Sequence, residues 1–80
     1  MTMAEAVTKR IDELLFERGW SLYKLSKEAC LPLTTLKNLY NGHTKSPTLS
    51  LIFKISETFN LTPIEFLDSS LFNKDEIDYI

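Results

Sequence analysis

The 80-residue sequence has few of the residues on which disulfide, metal and acid–base chemistry depend. It contains one cysteine, Cys30, and one histidine, His43. A single cysteine excludes an intramolecular disulfide and is too little for a structural zinc site, as is typical of proteins made in the reducing cytoplasm. A catalytic base or a His-rich metal site would have to be built around His43, and no suitably spaced partner surrounds it. We therefore expect no enzymatic activity, no cofactor and no metal.

Long apolar runs are also missing. No run reaches the roughly 18 apolar residues of a membrane span, and the first ten residues lack the apolar stretch of a signal peptide. The composition, 44% hydrophobic and 25% charged, is that of a globular protein. A chain of this length supports one core, which buries roughly 60–65% of the surface exposed by the unfolded chain. These features predict a single soluble, cytoplasmic domain without membrane contact.

The chain has no overall basic excess, which usually marks proteins that bind nucleic acids: its formal net charge is −2. The charge is unevenly distributed, however. Residues 18–54 hold six basic residues and one acidic residue, a net charge of +5. The flanking segments are acidic, with −2 for residues 1–17 and −5 for residues 55–80. The middle of the chain is therefore suited to an anionic partner.

The spacing of apolar residues predicts five short helices and no strand. Gly19 and Asn41-Gly42 are helix stops, and Pro32 can begin a helix because its missing N–H would be unpaired there. Thr62-Pro63-Ile64-Glu65 is a capping box with proline in the first turn, the clearest helix start in the sequence. Trp20 is expected to pack as a hydrophobic staple just before the second helix. The predicted helices cover residues 4–18, 21–30, 33–40, 48–59 and 62–69.

The second predicted helix ends near Cys30 and the third begins at about Leu33, so the turn between them, with Cys30 included, has only three or four residues. Two short helices joined in this way form a helix-turn-helix, whose second helix can lie in the DNA major groove. If Leu36 and Leu39 point inward, the helical period determines which residues of the third helix lie on its outer face. The geometry alone is weak evidence, because tight turns between helices occur in every helical bundle.

Several short motifs lie between the second predicted helix and the fifth, and no insertion or deletion interrupts their spacing. They are Leu25-Ser26-Lys27-Glu28-Ala29, Leu31, Thr35-Leu36, Leu39, Asn41-Gly42, Thr44-Lys45-Ser46-Pro47 and the apolar series Leu49, Ile52, Ile55, Phe59, Leu61 and Phe66-Leu67. Over about residues 5–68 the chain thereby resembles the phage-repressor-like helix-turn-helix proteins of the Cro and Xre type. The resemblance implies an all-α, five-helix lambda-repressor-like domain in residues 1–70, followed by an acidic and apolar tail in residues 71–80.

The sequence departs from the family pattern at two positions. Cys30 stands in the turn where the family usually has glycine, because the backbone there tends toward positive φ, and the conformation costs cysteine roughly 1 kcal/mol. Pro32 stands where the family often has Ser or Thr as the cap of the recognition helix. From residue type alone, we expect Cys30 to be a small buried hydrophobe and not a reactive thiol.

The resemblance implies a sequence-specific regulator of transcription, in the role of a repressor, that binds double-stranded DNA. Carried over by position, the residues that contact bases are Leu33, Thr34, Lys37 and Asn38. The residues expected at the DNA backbone are Ser21, Leu22, Asn41, His43, Thr44 and Lys45. For both sets the alternative is an ordinary solvated surface.

The end of the chain has more apolar residues than five short helices need. The resemblance favours a homodimer on a palindromic operator, and we expect its interface to include Leu71, Phe72, Ile77 and Tyr79. Alternatively, the tail folds back over the first and fourth helices and completes the core. A different function is also open: a protein-interaction module, antitoxin-like or anti-repressor, whose acidic tail binds a protein partner.

Overall fold

The computed structural model describes residues 1–73 and residue 77. Those residues contain five α-helices, one short 3₁₀ turn and no strand. The helices are α1 Met3–Arg18, α2 Leu22–Glu28, α3 Leu33–Tyr40, α4 Leu49–Thr58 and α5 Pro63–Leu67, and the 3₁₀ turn is Ser70–Phe72. The predicted all-α, five-helix architecture is confirmed. The last helix is shorter than predicted and ends at Leu67.

Side-chain caps fix the beginning of four of the five helices. Thr2, Ser21, Thr48 and Thr62 each accept a hydrogen bond from the backbone N–H three residues later. The predicted capping box at Thr62 is present, with Glu65 bonding back to the Thr62 N–H at 2.8 Å. α3 begins at Leu33 as predicted, with Pro32 at the N-cap position, where it makes no side-chain capping bond.

The first four helices are each followed by a residue with positive φ. Gly42 (φ 84°) follows α3, and Gly19 (φ 66°), Cys30 (φ 55°) and Asn60 (φ 61°) follow α1, α2 and α4. After each of the latter three, the next backbone N–H bonds to the carbonyl five residues earlier, which satisfies carbonyl groups at the helix end. The positive φ expected at Cys30 is confirmed. The expectation that Cys30 is buried is wrong: a left-handed residue after a helix lies on the outside of the turn, and its side chain is exposed.

The core takes residues from all five helices. Its fully buried members include Val7, Ile11, Leu25, Leu36, Ile55, Phe59 and Phe66. Trp20 stacks on Phe59 with ring centroids 5.6 Å apart, and this long-range partner was not visible in the sequence pattern. One core therefore positions all five helices, including the two of the helix-turn-helix.

Two arginines of α1 hold the ends of the later helices. Arg10 Nε donates to the Phe66 carbonyl at 2.8 Å and Arg10 Nη2 to the Glu65 carbonyl at 3.1 Å. Arg18 donates to the carbonyl of Phe59, and its guanidinium lies 5.6 Å from the centroid of that ring. Both arginines thus bond carbonyl groups at helix ends, where intrahelical donors run out, although the Glu65 carbonyl also accepts from the Asp68 N–H.

The described part of the tail lies against the domain. The 3₁₀ turn packs on α1, Phe72 contacts the core with its ring 6.3 Å from that of Phe66, and Ile77 is only 6% exposed. Leu71 is half-buried. Tyr79 lies outside the described residues. Phe72 and Ile77 thus contribute to the core of one chain, as the fold-back alternative expects, while a dimer interface in this segment stays a prediction. Among the helices described, none is both long and apolar enough to cross a membrane.

Candidate nucleic-acid interface

α2 and α3 are joined by the four residues 29–32 and share one buried contact region. Leu25 of α2 is fully buried, and Leu36 and Leu39 of α3 are buried with it in the same core cluster. Because these three side chains point inward, the opposite side of α3 must face solvent. The pair therefore presents α3 as an outward-facing helix, which is the arrangement that a helix-turn-helix requires.

The structure brings the four predicted base-contacting residues to the accessible side of α3. Thr34 and Lys37 are exposed, and Leu33 and Asn38 are half-buried beside them. Their chemistry suits base edges: an ammonium donor, a carboxamide that both donates and accepts, a hydroxyl and an aliphatic side chain. α3 contains no arginine or glutamine, so aliphatic side chains make up a larger share of this surface.

The loop that follows α3 is held by three hydrogen bonds, two between backbone groups and one to the side chain of Asn41. The Asn41 Oδ1 accepts from the His43 N–H at 3.1 Å, and the Thr44 N–H donates to the Asn38 carbonyl at 3.0 Å. The Lys45 carbonyl accepts from the Ala4 N–H at 3.1 Å, which ties the loop to the first turn of α1. Asn41, His43 and Lys45 have exposed side chains. The loop therefore presents a defined set of polar groups next to α3.

At the other end of the helix-turn-helix, Ser21 begins α2. Its hydroxyl oxygen accepts from the Lys24 N–H at 3.1 Å, so its first role is the predicted helix cap. Ser21 is exposed and Leu22 is half-buried. Both residues thus lie at the start of the helix, where backbone N–H groups favour an anion.

The basic residues of the middle segment fall into two groups. Arg18 is bound to the Phe59 carbonyl, and Lys24 Nζ pairs with Glu28 Oε1 at 2.9 Å. The other four are exposed and form no ion pair with any described residue: Lys27, Lys37, Lys45 and Lys54. Among residues 1–73, four of the five lysines without an ion pair therefore lie in α2, α3, the loop after α3 and α4, and the fifth is Lys9 of α1.

One polar contact of α3 was missed by sequence reasoning, which predicts that Tyr40 is a packing residue and leaves open a contact of its hydroxyl with a phosphate. Its hydroxyl donates to Asp12 Oδ1 at 2.7 Å, with the Thr8 carbonyl 3.4 Å away. Partial burial, together with the Asp12 carboxylate, raises the pKa of Tyr40 well above its usual range. The two residues lie 28 positions apart, so no local pattern could have found the pair.

The comparison with protein families decides what this arrangement is. The family model of the Cro/C1-type helix-turn-helix DNA-binding domain matches residues 10–70, which include α2, α3, α4 and α5. The chain belongs to this family. The resemblance stated from the sequence is confirmed, and the α2–α3 pair is the helix-turn-helix of a Cro/C1-type DNA-binding domain.

A solved structure supports the fold of this Cro/C1-type domain. The chain is similar to a crystal structure of the prophage Lp1 protein 11, with a TM-score of 0.83 and 24% sequence identity. The similarity covers 92% of this chain and 97% of the other. No curated protein matches the sequence. Within the described residues of this domain, no group of three or more His, Cys, Asp or Glu side chains is placed to hold a metal ion.

Proposed function

We propose that the chain is a sequence-specific transcriptional repressor that binds a palindromic operator as a homodimer, with one α3 helix in the major groove of each half-site. The observation that carries this proposal is the outward face of α3. Lys37 and Thr34 project from it while Leu36 and Leu39 hold the helix in the core. The family is one of DNA-binding domains, and this is the helix whose geometry fits a groove about 12 Å wide.

Three residues of the face have a chemical partner in the groove. The Lys37 ammonium can donate to guanine O6 or N7, and the Asn38 carboxamide can pair with N6 and N7 of adenine. Leu33 can contact a thymine methyl group. Because α3 has eight residues and rises about 1.5 Å per residue, it spans about 12 Å, or roughly three to four base pairs.

Contacts to the DNA backbone set the register of the helix in the groove. We assign them to the start of α2 and to the loop after α3, which flank the reading face on both sides. The proposed residues are Ser21, Leu22, Asn41, His43, Thr44 and Lys45. The three hydrogen bonds that fix the loop support this assignment, because a rigid loop loses less conformational entropy on binding.

We place the dimer interface near α5 and the tail and propose that Leu71, Phe72 and Tyr79 take part in it, while Ile77, which is only 6% exposed, packs within one chain. Ile64 and Leu67 support an interface at α5, because these two apolar side chains, three residues apart on the helix, are 80% and 37% exposed and form one apolar patch. Light scattering at micromolar concentration, with and without operator DNA, tests the assembly. Only monomer in both conditions would contradict it.

Selection of bound sequences from a random duplex pool tests the function directly. We expect an enriched palindrome whose half-site centres lie about one helical turn, or a multiple of it, apart. Lys37→Ala and Asn38→Ala should each weaken binding to the selected duplex by about 1–3 kcal/mol. Lys9→Ala, an exposed lysine outside the basic segment, is the matched control. Unchanged affinity in both α3 variants would remove the assignment of the reading face.

A second candidate is a protein-interaction module that uses the acidic end of the chain. It is favoured by the net charge of −5 in residues 55–80, which lie outside the basic segment. If the full chain enriches no duplex from the pool while it forms a stoichiometric complex with a basic protein partner, this function replaces the first.

A further inference from the structure

α3 and the loop after it are attached to α1 at two points, one on each side of the loop. On the near side, the Tyr40 hydroxyl donates to Asp12 Oδ1 at 2.7 Å. On the far side, the Ala4 N–H donates to the Lys45 carbonyl at 3.1 Å. Residues 41–44, which include three of the proposed DNA-backbone contacts, lie between these two attachments. α1 therefore acts as a frame for the end of α3 and for the loop.

The core places α3 through two buried side chains, so the exact orientation of this helix also depends on contacts such as these. A helix of eight residues is too short to be stable by itself in water, and the N-cap Pro32 makes no side-chain capping bond. Leu36 and Leu39 determine which side of α3 faces inward. Apolar contacts are non-directional, however, and permit small rotations about the helix axis. A hydrogen bond to a carboxylate is directional and stronger than one between neutral groups.

Tyr40 is well placed to control the reading face. It lies three residues after Lys37, so the two side chains start from neighbouring points on the helix surface. Its ring leans toward α1 and not toward the accessible side, since its hydroxyl bonds to Asp12. A direct contact of this hydroxyl with a phosphate is disfavoured, because the Asp12 carboxylate would repel the phosphate.

We propose that the Tyr40–Asp12 hydrogen bond is a positioning contact that sets the orientation of α3 and of the loop 41–45 for specific DNA binding. Neither residue touches the DNA in this arrangement. The inference depends on the proposed function, since an orientation of α3 matters for affinity only if α3 contacts bases.

The test compares wild-type protein with Tyr40→Phe, which removes only the hydroxyl. Binding is measured by fluorescence anisotropy on the duplex selected by the wild-type chain and on an unrelated duplex. We expect affinity for the selected duplex to fall about five- to tenfold, the equivalent of about one base contact, because base contacts require a defined helix orientation. Affinity for the unrelated duplex should change less than about twofold, because non-specific binding depends on phosphate charge.

The ratio of the affinity for the selected duplex to the affinity for the unrelated duplex distinguishes a loss of positioning from a loss of folded protein. Partial unfolding would lower both affinities by the same factor, whereas misorientation lowers only the specific one. Circular dichroism at the assay temperature checks that each variant is folded. Tyr23→Phe is the matched control, because the Tyr23 side chain is exposed on α2 and its hydroxyl makes no hydrogen bond to the described residues.

Variants of the acceptor keep the proposal testable from the other side of the bond. Asp12→Ala removes the acceptor and should lower the specific affinity as Tyr40→Phe does. Asp12→Asn keeps a side-chain oxygen and should therefore retain most of the wild-type affinity for the selected duplex. Glu17→Ala loses the same charge from the same helix and should not lower the ratio. The double variant Tyr40→Phe/Asp12→Ala should bind the selected duplex no more weakly than the weaker-binding single variant, because both substitutions remove the same interaction.

The outcomes distinguish this inference from the function on which it rests. If the wild-type chain selects no duplex, both are overturned. If the wild-type chain binds its selected duplex and Tyr40→Phe keeps the wild-type affinity ratio, the positioning contact is overturned and the proposed function stands. Additive losses in the double variant would likewise overturn the positioning contact alone.

Discussion

At the scale of single residues, Cys30 shows how a backbone requirement can override residue preference. Its φ of 55° lies in the left-handed region, which costs an L-residue with a β-carbon roughly 1–2 kcal/mol. We predict that Cys30→Gly raises the free energy of unfolding by about 0.5–1 kcal/mol, after the greater freedom of glycine in the unfolded chain is counted. Urea denaturation measures this change.

Asn60 provides the control for that experiment. It has nearly the same backbone conformation, with φ 61°, but asparagine tolerates the left-handed region better than cysteine does. Asn60→Gly should therefore gain less stability than Cys30→Gly. Equal gains, or a loss at Cys30, would show that the strain argument does not apply to this turn.

Tyr40 provides a residue-scale prediction of pH dependence. Burial and the Asp12 carboxylate raise its pKa in the folded state, so folding favours the protonated phenol. Its contribution to stability is fully present below the unfolded pKa of about 10 and is lost as the pH rises through the folded value. Between about pH 10 and 12, the wild-type protein should therefore lose stability faster than Tyr40→Phe does. Urea denaturation of both proteins across this range measures the loss. If the free energies of unfolding of the two proteins fall in parallel with pH, the prediction is wrong.

At the scale of helices, the sequence was most informative where the signal is local. The capping box at Thr62 depends on neighbouring residues and is present, whereas the left-handed conformation of Cys30, also present, was expected from the family resemblance and not from the residue itself. The reading face follows from the helical period, since inward Leu36 and Leu39 leave Lys37 outside. The bond of Tyr40 to Asp12 could not be predicted, because a contact across 28 residues leaves no periodic trace in the sequence.

Arg10 carries the prediction at this scale, because it joins α1 to α5. Its guanidinium bonds two carbonyl groups near the end of a five-residue helix, 55 and 56 positions away in sequence. We predict that Arg10→Ala lowers the free energy of unfolding by about 1–3 kcal/mol, because it leaves these carbonyl groups without their charged donor. Denaturation in urea measures the loss.

Glu13 separates this effect from the ion pair that Arg10 also makes. Arg10 Nη1 lies 3.3 Å from Glu13 Oε1 in a half-exposed pair, and such pairs contribute little to stability. Glu13→Gln should therefore cost less than about 0.5 kcal/mol. If Glu13→Gln lowers the free energy of unfolding as much as Arg10→Ala does, the ion pair stabilises the domain and the hydrogen bonds from Arg10 to the α5 carbonyl groups do not.

At the scale of the whole molecule, the distribution of charge matters more than its sum. A net charge of −2 weakens non-specific attraction to DNA, while the unpaired lysines gathered around the helix-turn-helix favour one orientation of approach. The placement of the tail could not be settled from composition, since an acidic and apolar segment is compatible with a core and with an interface. Long-range packing of Phe72 on the core carries that information.

This charge distribution predicts the salt dependence of operator binding. If the dimer neutralises roughly six phosphates, log K should fall by about 5 for each log unit of salt, because each phosphate contributes about 0.9. Lys45→Ala should lower the slope by about 2 per dimer, since it removes one phosphate contact from each protomer. Lys24→Ala removes an equal charge, but Lys24 already pairs with Glu28 at 2.9 Å and should change the slope less. Binding isotherms between about 50 and 200 mM salt measure all three slopes, and equal slopes for Lys45→Ala and wild type would remove the loop from the DNA interface.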